Sequence, residues 1–228
     1  MKAAVERVFL KRRLFLPETY PMLPIERVLL IYPFAVQRSY DLQTVRLHGQ
    51  FCQAPIGLGY IASYVKKNLP EVEIDVFDAN LMAIKHIQDV DHVDMDELWF
   101  KLFEEVDRRK PDLIGVSSLF HEIAGVAHKT LAHARQAAPT AIGVMGGNYP
   151  EASPDIALSD DNVDFVILSE GEIAFTRLLA ALRSGEEPIE VVDGIVCRQD
   201  AMARIQKNHA SQNGARRFEP HTTFLGKP

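Results

Sequence analysis

Three stretches of the chain run apolar almost without interruption: Asp112-Leu-Ile-Gly-Val-Ser-Ser118, Ala141-Ile-Gly-Val-Met-Gly-Gly147 and Val163-Asp-Phe-Val-Ile-Leu-Ser169. Runs of this kind, bounded by helical patterns, are the signature of strands buried on both faces of a parallel sheet. Arg27–Tyr32, stopped by Pro33, and the shorter Glu73–Phe77 add two more. Between them apolar residues recur at helical spacing. Leu58, Ile61, Ala62, Val65 and Leu69 follow Pro55 and end at Pro70. Leu98, Leu102, Phe103 and Val106 follow Asp94 and Glu97, a pair that reads as a capping box. Ile123, Val126, Ala127, Leu131 and Ala134 form a third stripe, and Phe175, Leu178, Leu179 and Leu182 a last one behind Glu172. Asn148-Tyr-Pro150 leads into a short helix through Leu158. The alternation predicts an α/β domain: a five-stranded parallel sheet covered on both faces, with right-handed crossovers.

Two segments, Phe34–Ala54 and Ala79–Val93, show no clear period and read as irregular insertions. Ile189–Arg198 alternates weakly, as a hairpin or an edge strand would. The expected organisation is a basic N-terminal arm over residues 1–26, the α/β domain over 27–199 and a polar, extended tail over 200–228.

Composition narrows the class. With 47% hydrophobic and 25% charged residues, 228 residues suffice for one sizeable core. A net charge of -6 argues against general nucleic-acid binding. Cys52 and Cys197 form no disulfide framework, which points to a reducing compartment, and a cytoplasmic location is expected. They also exclude a cysteine-built iron–sulfur cluster or structural zinc made from these residues alone. No apolar run is long enough for a transmembrane segment. In the first sixteen residues Lys2, Arg7, Lys11, Arg12 and Arg13 interrupt Val5, Val8, Phe9, Leu14 and Phe15. That is an arm packed on the domain, or one that docks on a partner, and not a signal peptide.

Candidate chemistry lies at the strand ends, where ligands of parallel sheets bind. Ser117-Ser118-Leu119 offers hydroxyls, Gly146-Gly147 bare backbone, and Glu170-Gly171-Glu172 carboxylates around a flexible turn. Any one alone would be an ordinary turn, but three in succession favour an elongated ligand threaded into the sheet edge. No Gly-rich loop with Lys-Ser/Thr is present, which argues against a phosphate-only site. Gly57-Leu-Gly59-Tyr-Ile-Ala62 matches a dinucleotide fingerprint, with Asp78 about twenty residues on as the ribose acid. That motif needs its glycines at the strand-to-helix turn, whereas Pro55 puts these inside a helix, where they serve close packing or a ligand's close approach. His121, His128 and His133 lack further ligands at metal spacing and are expected to be exposed or capping.

These stretches resemble a family. Ala54-Pro-Ile-Gly-Leu-Gly-Tyr-Ile-Ala-Ser-Tyr-Val65, Lys110-Pro-Asp-Leu-Ile-Gly-Val-Ser-Ser118, Val144-Met-Gly-Gly-Asn-Tyr-Pro-Glu151 and Val163-Asp-Phe-Val-Ile-Leu-Ser-Glu-Gly-Glu172 are similar to the cobalamin-binding domains that precede radical S-adenosylmethionine (SAM) enzymes. Val192-Asp-Gly-Ile-Val-Cys-Arg198 is similar to their small C-terminal hairpin. The resemblance implies a flavodoxin-like, Rossmann-like three-layer sandwich that holds cobalamin base-off, its nucleotide tail in a groove between strand ends and flanking helices. It implies that Ser117 bonds the tail base within a Ser-x-Leu element with Leu119. Gly146 and Gly147 would let the tail pass, and Glu170 with Gly171 would line its far wall. Ser118, Asn148, Pro150, Glu172, Pro33 and Gly57 join the cofactor-binding candidates on the same ground.

Two departures qualify the expectation. The Asp-x-His-x-x-Gly of methionine synthase and the cobalamin-dependent mutases is replaced after the first strand by Tyr32-Pro-Phe-Ala-Val-Gln37, so that histidine ligand to cobalt is absent. His48, in a loop expected to overhang the strand ends as a lid, is held as an alternative axial ligand. The radical SAM Cys-x-x-x-Cys-x-x-Cys cluster is also missing, so the expected role is a cobalamin carrier or sensor, or a module that serves a catalytic partner chain. The alternatives are a binding protein for another nucleotide-type ligand, flavin or dinucleotide, or a degenerate module kept for protein contacts or regulation. No nucleophile–base pair or carboxylate pair supports a self-sufficient enzyme.

Overall fold

The computed structural model describes residues 22–36, 40–47, 54–168, 170–186, 188, 192–198, 201, 203 and 205. Residues 1–21 of the expected basic arm, His48, Cys52 and the tail after residue 205 lie outside the described residues. In chain order the elements are β1 (Arg27–Tyr32), α1 (Leu42–Leu47), α2 (Ile56–Asn68), β2 (Glu73–Asp78), α3 (Ala79–Val90), α4 (Met95–Arg109) and β3 (Leu113–Ser117). There follow α5 (Ala124–Ala137), β4 (Ile142–Gly146), α6 (Asn148–Ala152), α7 (Pro154–Leu158), β5 (Phe165–Ile167), α8 (Gly171–Ser184) and β6 (Ile195–Cys197). Among the described residues no helix is long and apolar enough to cross a membrane.

The sheet runs β2-β1-β3-β4-β5-β6, parallel except for β6, which pairs antiparallel with β5. The α/β, flavodoxin-like expectation holds, with a correction: the weakly alternating segment joins the sheet as a sixth, edge strand. β1 and β3 are buried on both faces, and their side chains divide between two cores. Leu30, Leu113, Ile142, Val144 and Phe165 pack under α2 and α8. Leu29, Ile31, Ile114, Val116, Met145 and Val166 pack under α3, α4 and α5. The chain leaves β1 toward β2 on one side and β3 on the other, so the carboxyl ends of β1 and β3 form the topological switch point.

Several sequence expectations need correction. Ala79–Val93 is not irregular. Asp78 accepts the Leu81 amide as an N-cap, and α3 buries Ala79, Ala83, Ile84 and Ile87. The first connection contains α1, and its described parts bury Phe34, Val36 and Val45 in the core beneath α3–α5. Ala35 donates to Asn80 Oδ1 at 2.9 Å and Leu42 to Asp91 Oδ1 at 3.0 Å, tying this segment to α3 and its C-cap. Asp94 caps α4 by accepting from Asp96 and Glu97, but the Glu97 carboxylate takes the Lys101 ammonium at 2.7 Å instead of closing a box. Phe103, expected inward, is exposed. The single helix expected through Leu158 is two, parted at Ser153, with Pro154 opening the second where its missing N–H costs nothing. The tail expected to be extended is helical at Ala201, Ala203 and Ile205, and Ala201 and Ile205 are buried.

Candidate functional site: a cleft at the strand ends

On the α2/α8 face, side chains stand in rows across the strands. One row runs Leu30, Gly115, Val144, Phe165; the next, toward the carboxyl ends, pairs Ser117 with Gly146 and Gly146 with Ile167, with Tyr32 ending β1 beside them. A glycine stands in the middle of each row: Leu30 fills the space at Gly115, while the space at Gly146 is open. A Cβ on Gly115 would lie 2.7 Å from Leu30 Cδ2, and one on Gly146 would meet only Ile167 Cβ, at 3.6 Å. The result is a cleft of about 610 Å³ with Leu30, Gly115, Val144, Ser117 and Gly146 on its floor and Leu58, Ile61 and Phe175 on its helical walls.

Most of the candidates meet here. Gly57, Ser117, Leu119, Gly146, Gly147, Asn148, Glu170, Gly171 and Glu172 all line the cleft. Gly57 and Gly59 lie inside α2, and a Cβ at either would touch nothing within 4 Å. They therefore neither form a strand-to-helix turn nor permit close packing, and Asp78 is occupied as the cap of α3. Gly57 instead faces the cleft. Gly171 is where α8 approaches α2 closely, since a Cβ there would sit 2.8 Å from Ile61 Cδ1.

Ser118, Pro33 and Pro150 are buried and are not among the lining residues. Ser118 works through its backbone: its amide donates to the Gly146 carbonyl at 2.7 Å and its carbonyl accepts from the Tyr149 amide at 3.2 Å. Its hydroxyl has no hydrogen-bond partner among the described residues. Gly147, at φ 106°, lets the chain turn tightly against this carbonyl; a Cβ there would stand 2.5 Å from the Ser118 oxygen.

Behind that turn lies a polar chain that the sequence did not reveal. His128 Nδ1 stands 2.6 Å from Asp160 Oδ2, and Nε2 stands 3.0 Å from the Tyr149 hydroxyl. A carboxylate can only accept, so Nδ1 carries a proton. Burial pushes the Asp160 carboxyl up, yet hydrogen bonds from His128 and Asn162 outweigh it and hold its pKa at about 2. His128 is thus neither exposed nor a simple cap. His133 stacks on Trp99 with centroids 4.6 Å apart, and burial lowers its pKa; His121 is exposed, as expected.

The cleft changes character from floor to mouth. Leu30, Val144, Ile167 and Phe175 make its interior apolar, and the Tyr32 and Ser117 side chains supply hydroxyls. Burial, then Asp78, raises the Tyr32 pKa, so the phenol stays a neutral donor. Asn148, Glu151, Glu170 and Glu172 stand at the strand ends, and no lysine or arginine lines the cleft among the described residues. The N-termini of α2 and α8 also meet the mouth, and neither Pro55 nor Glu170 caps its helix with a side chain. Tyr32, Gly115 and Phe175 escaped the sequence reading; only a glycine inside an apolar strand, a sign of close backbone approach, gave notice of Gly115.

The sequence model of the B12 binding domain matches residues 43–179. The chain belongs to the B12-binding-domain family. The chain is 33% identical over 213 residues to the cytidylyl-2-hydroxyethylphosphonate methyltransferase of Streptomyces wedmorensis, covering 90% of this chain and 36% of that protein. It therefore spans little more than a third of that relative's length. A solved structure, the apo, selenomethionine-labelled cobalamin-dependent S-adenosylmethionine radical enzyme OxsB, matches 75% of this chain and 20% of its own chain, with a TM-score of 0.49 and 17% identity.

Proposed function

We propose that this domain holds cobalamin base-off, with the nucleotide tail in the cleft and the corrin ring over the strand ends. The observation that carries the reading is the open space over Gly146 at the floor of the strand-end cleft, which a larger side chain would fill. Ser117 and Tyr32 are placed to donate to a tail base, and Gly147 and Gly171 keep the walls open around it. The carboxylates of Glu151, Glu170 and Glu172 suit the many amide N–H groups of a corrin. They would repel a pyrophosphate, for which no lining cation compensates, and this disfavours a flavin dinucleotide or nicotinamide dinucleotide. The single charge of the tail's phosphodiester can be met by the uncapped helix N-termini.

Bound cobalamin would supply a cobalt centre able to carry a methyl group. This chain's own residues bind and orient it and keep the tail base away from the metal. No histidine stands directly after β1, and a cobalt held here without an axial protein donor would be easier to reduce. His48 remains the candidate should a protein ligand exist. The chemistry itself belongs to a radical SAM or other methyl-transfer unit, in the same longer protein or on a partner chain. Hydroxocobalamin added under reducing conditions and followed by desalting tests the reading. One corrin retained per chain, with a base-off absorbance spectrum, is the expected result. No retained corrin, or flavin or dinucleotide absorbance in its place, would overturn it.

A further inference from the structure

We infer that His128 and Asp160 are positioning residues: through the Tyr149 hydroxyl they hold the short helix that sets Asn148 and Glu151 on the cleft wall. Only the ligand readout below rests on the cobalamin reading above. α6, which carries both wall residues, is five residues long, Asn148–Ala152. A helix of that length does not hold itself, because nucleation costs more than one turn of hydrogen bonds returns. Its orientation has to be fixed from outside. Asn148 and Glu151, three apart, share the side that lines the cleft. Tyr149 points away from it, 6% exposed, into the core beneath α3–α5.

Tyr149 is held at both ends. Its amide donates to the Ser118 carbonyl at 3.2 Å. Its ring meets His121 and His128 edge-on, with centroids 5.4 and 5.7 Å away. Ring packing of this kind tolerates sliding, whereas the hydroxyl's hydrogen bond selects one position. His128 Nε2 stands 3.0 Å from that hydroxyl. With the Nδ1 proton directed at Asp160, a neutral imidazole presents Nε2 as the acceptor and the tyrosine donates. Burial, then the Asp160 charge, raises the Tyr149 pKa, which keeps the phenol a donor. Asp160 is oriented in turn, because its Oδ1 accepts from the Asn162 amide and side chain, both at 2.9 Å, and its Oδ2 faces His128. Each link thus sets the direction of the next, from the turn before β5 through α5 to α6.

Three variants of the full 228-residue chain test this by amide hydrogen exchange without ligand and by cobalamin titration. Tyr149→Phe keeps the ring and removes the donor. His128→Asn keeps a donor for Asp160 and offers Tyr149 nothing, whereas His128→Gln, one methylene longer, keeps an acceptor for Tyr149. Tyr149→Phe and His128→Asn should speed exchange at the Tyr149, Glu151 and Ser153 amides, which bond Ser118, Gly147 and Tyr149 carbonyls. The expected factor is about twofold to tenfold, the worth of one net hydrogen bond, while amides of β3 and β4 keep their rates. Cobalamin affinity should fall by a similar factor, and His128→Gln should restore both. Acceleration spread evenly over the domain, or none at these amides, overturns the inference, because the polar chain then adds stability alone. His128→Gln as impaired as His128→Asn overturns the role of Nε2. Selective acceleration with unchanged affinity overturns the link to the cleft. A native chain that retains no cobalamin overturns the binding reading, and the exchange pattern then decides the positioning by itself.

Discussion

Gly146 and Gly147 are adjacent and do opposite things, and substitutions should separate them. Gly146 has ordinary backbone dihedrals and open space, so alanine there meets only Ile167, at ordinary contact distance. We expect Gly146→Ala to leave the thermal midpoint nearly unchanged and to weaken cobalamin binding by about tenfold, one carbon's worth of lost room in a close-fitting pocket. An absorbance titration against circular-dichroism melts would check both halves. At Gly147 a side chain meets positive φ and the Ser118 carbonyl together. Gly147→Ala should cost about 1–3 kcal/mol of stability in urea unfolding, with binding lost through the displaced turn. Asp160 carries a pH signature. Its folded pKa of about 2 lies below the unfolded value of about 3.9, so its contribution is fully present above pH 4 and disappears as pH falls through 2. Asp160→Asn should destabilise the domain at pH 7 by about 1–2 kcal/mol, allowing for its partial exposure, and match the native protein near pH 2. Urea titrations at pH 7, 4 and 2 would show the two curves converge; a constant gap would contradict the assignment. None of this polar chain was legible in sequence, because Asp160 lies 32 residues from His128 and only the fold brings them together.

Among the elements, the parallel strands were the easiest to read and α3 the hardest. β1 was delimited to the residue because a strand covered by helices on both faces has no polar phase to blur its ends. The helix over Ala79–Val90 was hidden because it also buries Asn80 and His86, which break the apolar stripe. Both are partnered, Asn80 by the Ala35 amide and His86 by Lys101, and such partners become visible only after folding. Asp78 misled further by standing at the spacing of a ribose acid when its carboxylate caps α3. A cap makes a clean forecast. Asp78→Ala should lose about 1 kcal/mol and Asp78→Asn almost nothing, since asparagine caps as well as aspartate. Cobalamin affinity should be the same in both variants, because Asp78 does not line the cleft. Chemical unfolding together with binding titration would decide it, and a loss of cobalamin affinity in either variant would contradict the reading of Asp78 as a cap alone.

For the whole molecule, the three strand-end motifs were legible because parallel sheets bring the ends of consecutive strands to one edge. Their depth was not. The cleft forms where a glycine in β3 and a glycine in β4 one row nearer the mouth lie under α2 and α8, which approach each other closely at Gly171. Register and helix separation are properties of the assembled layers, and no single stretch of the chain carries them. This arrangement places a cleft of about 610 Å³ at the strand ends, and no histidine stands directly after β1. The consequence for the metal is specific: cobalt should have no nitrogen on its lower face. Electron paramagnetic resonance of the chain loaded with cobalamin reduced to Co(II) reads that directly. The account predicts a protein-bound signal without nitrogen superhyperfine splitting. A triplet splitting would contradict it, placing either the tail base or a protein imidazole such as His48 on the cobalt.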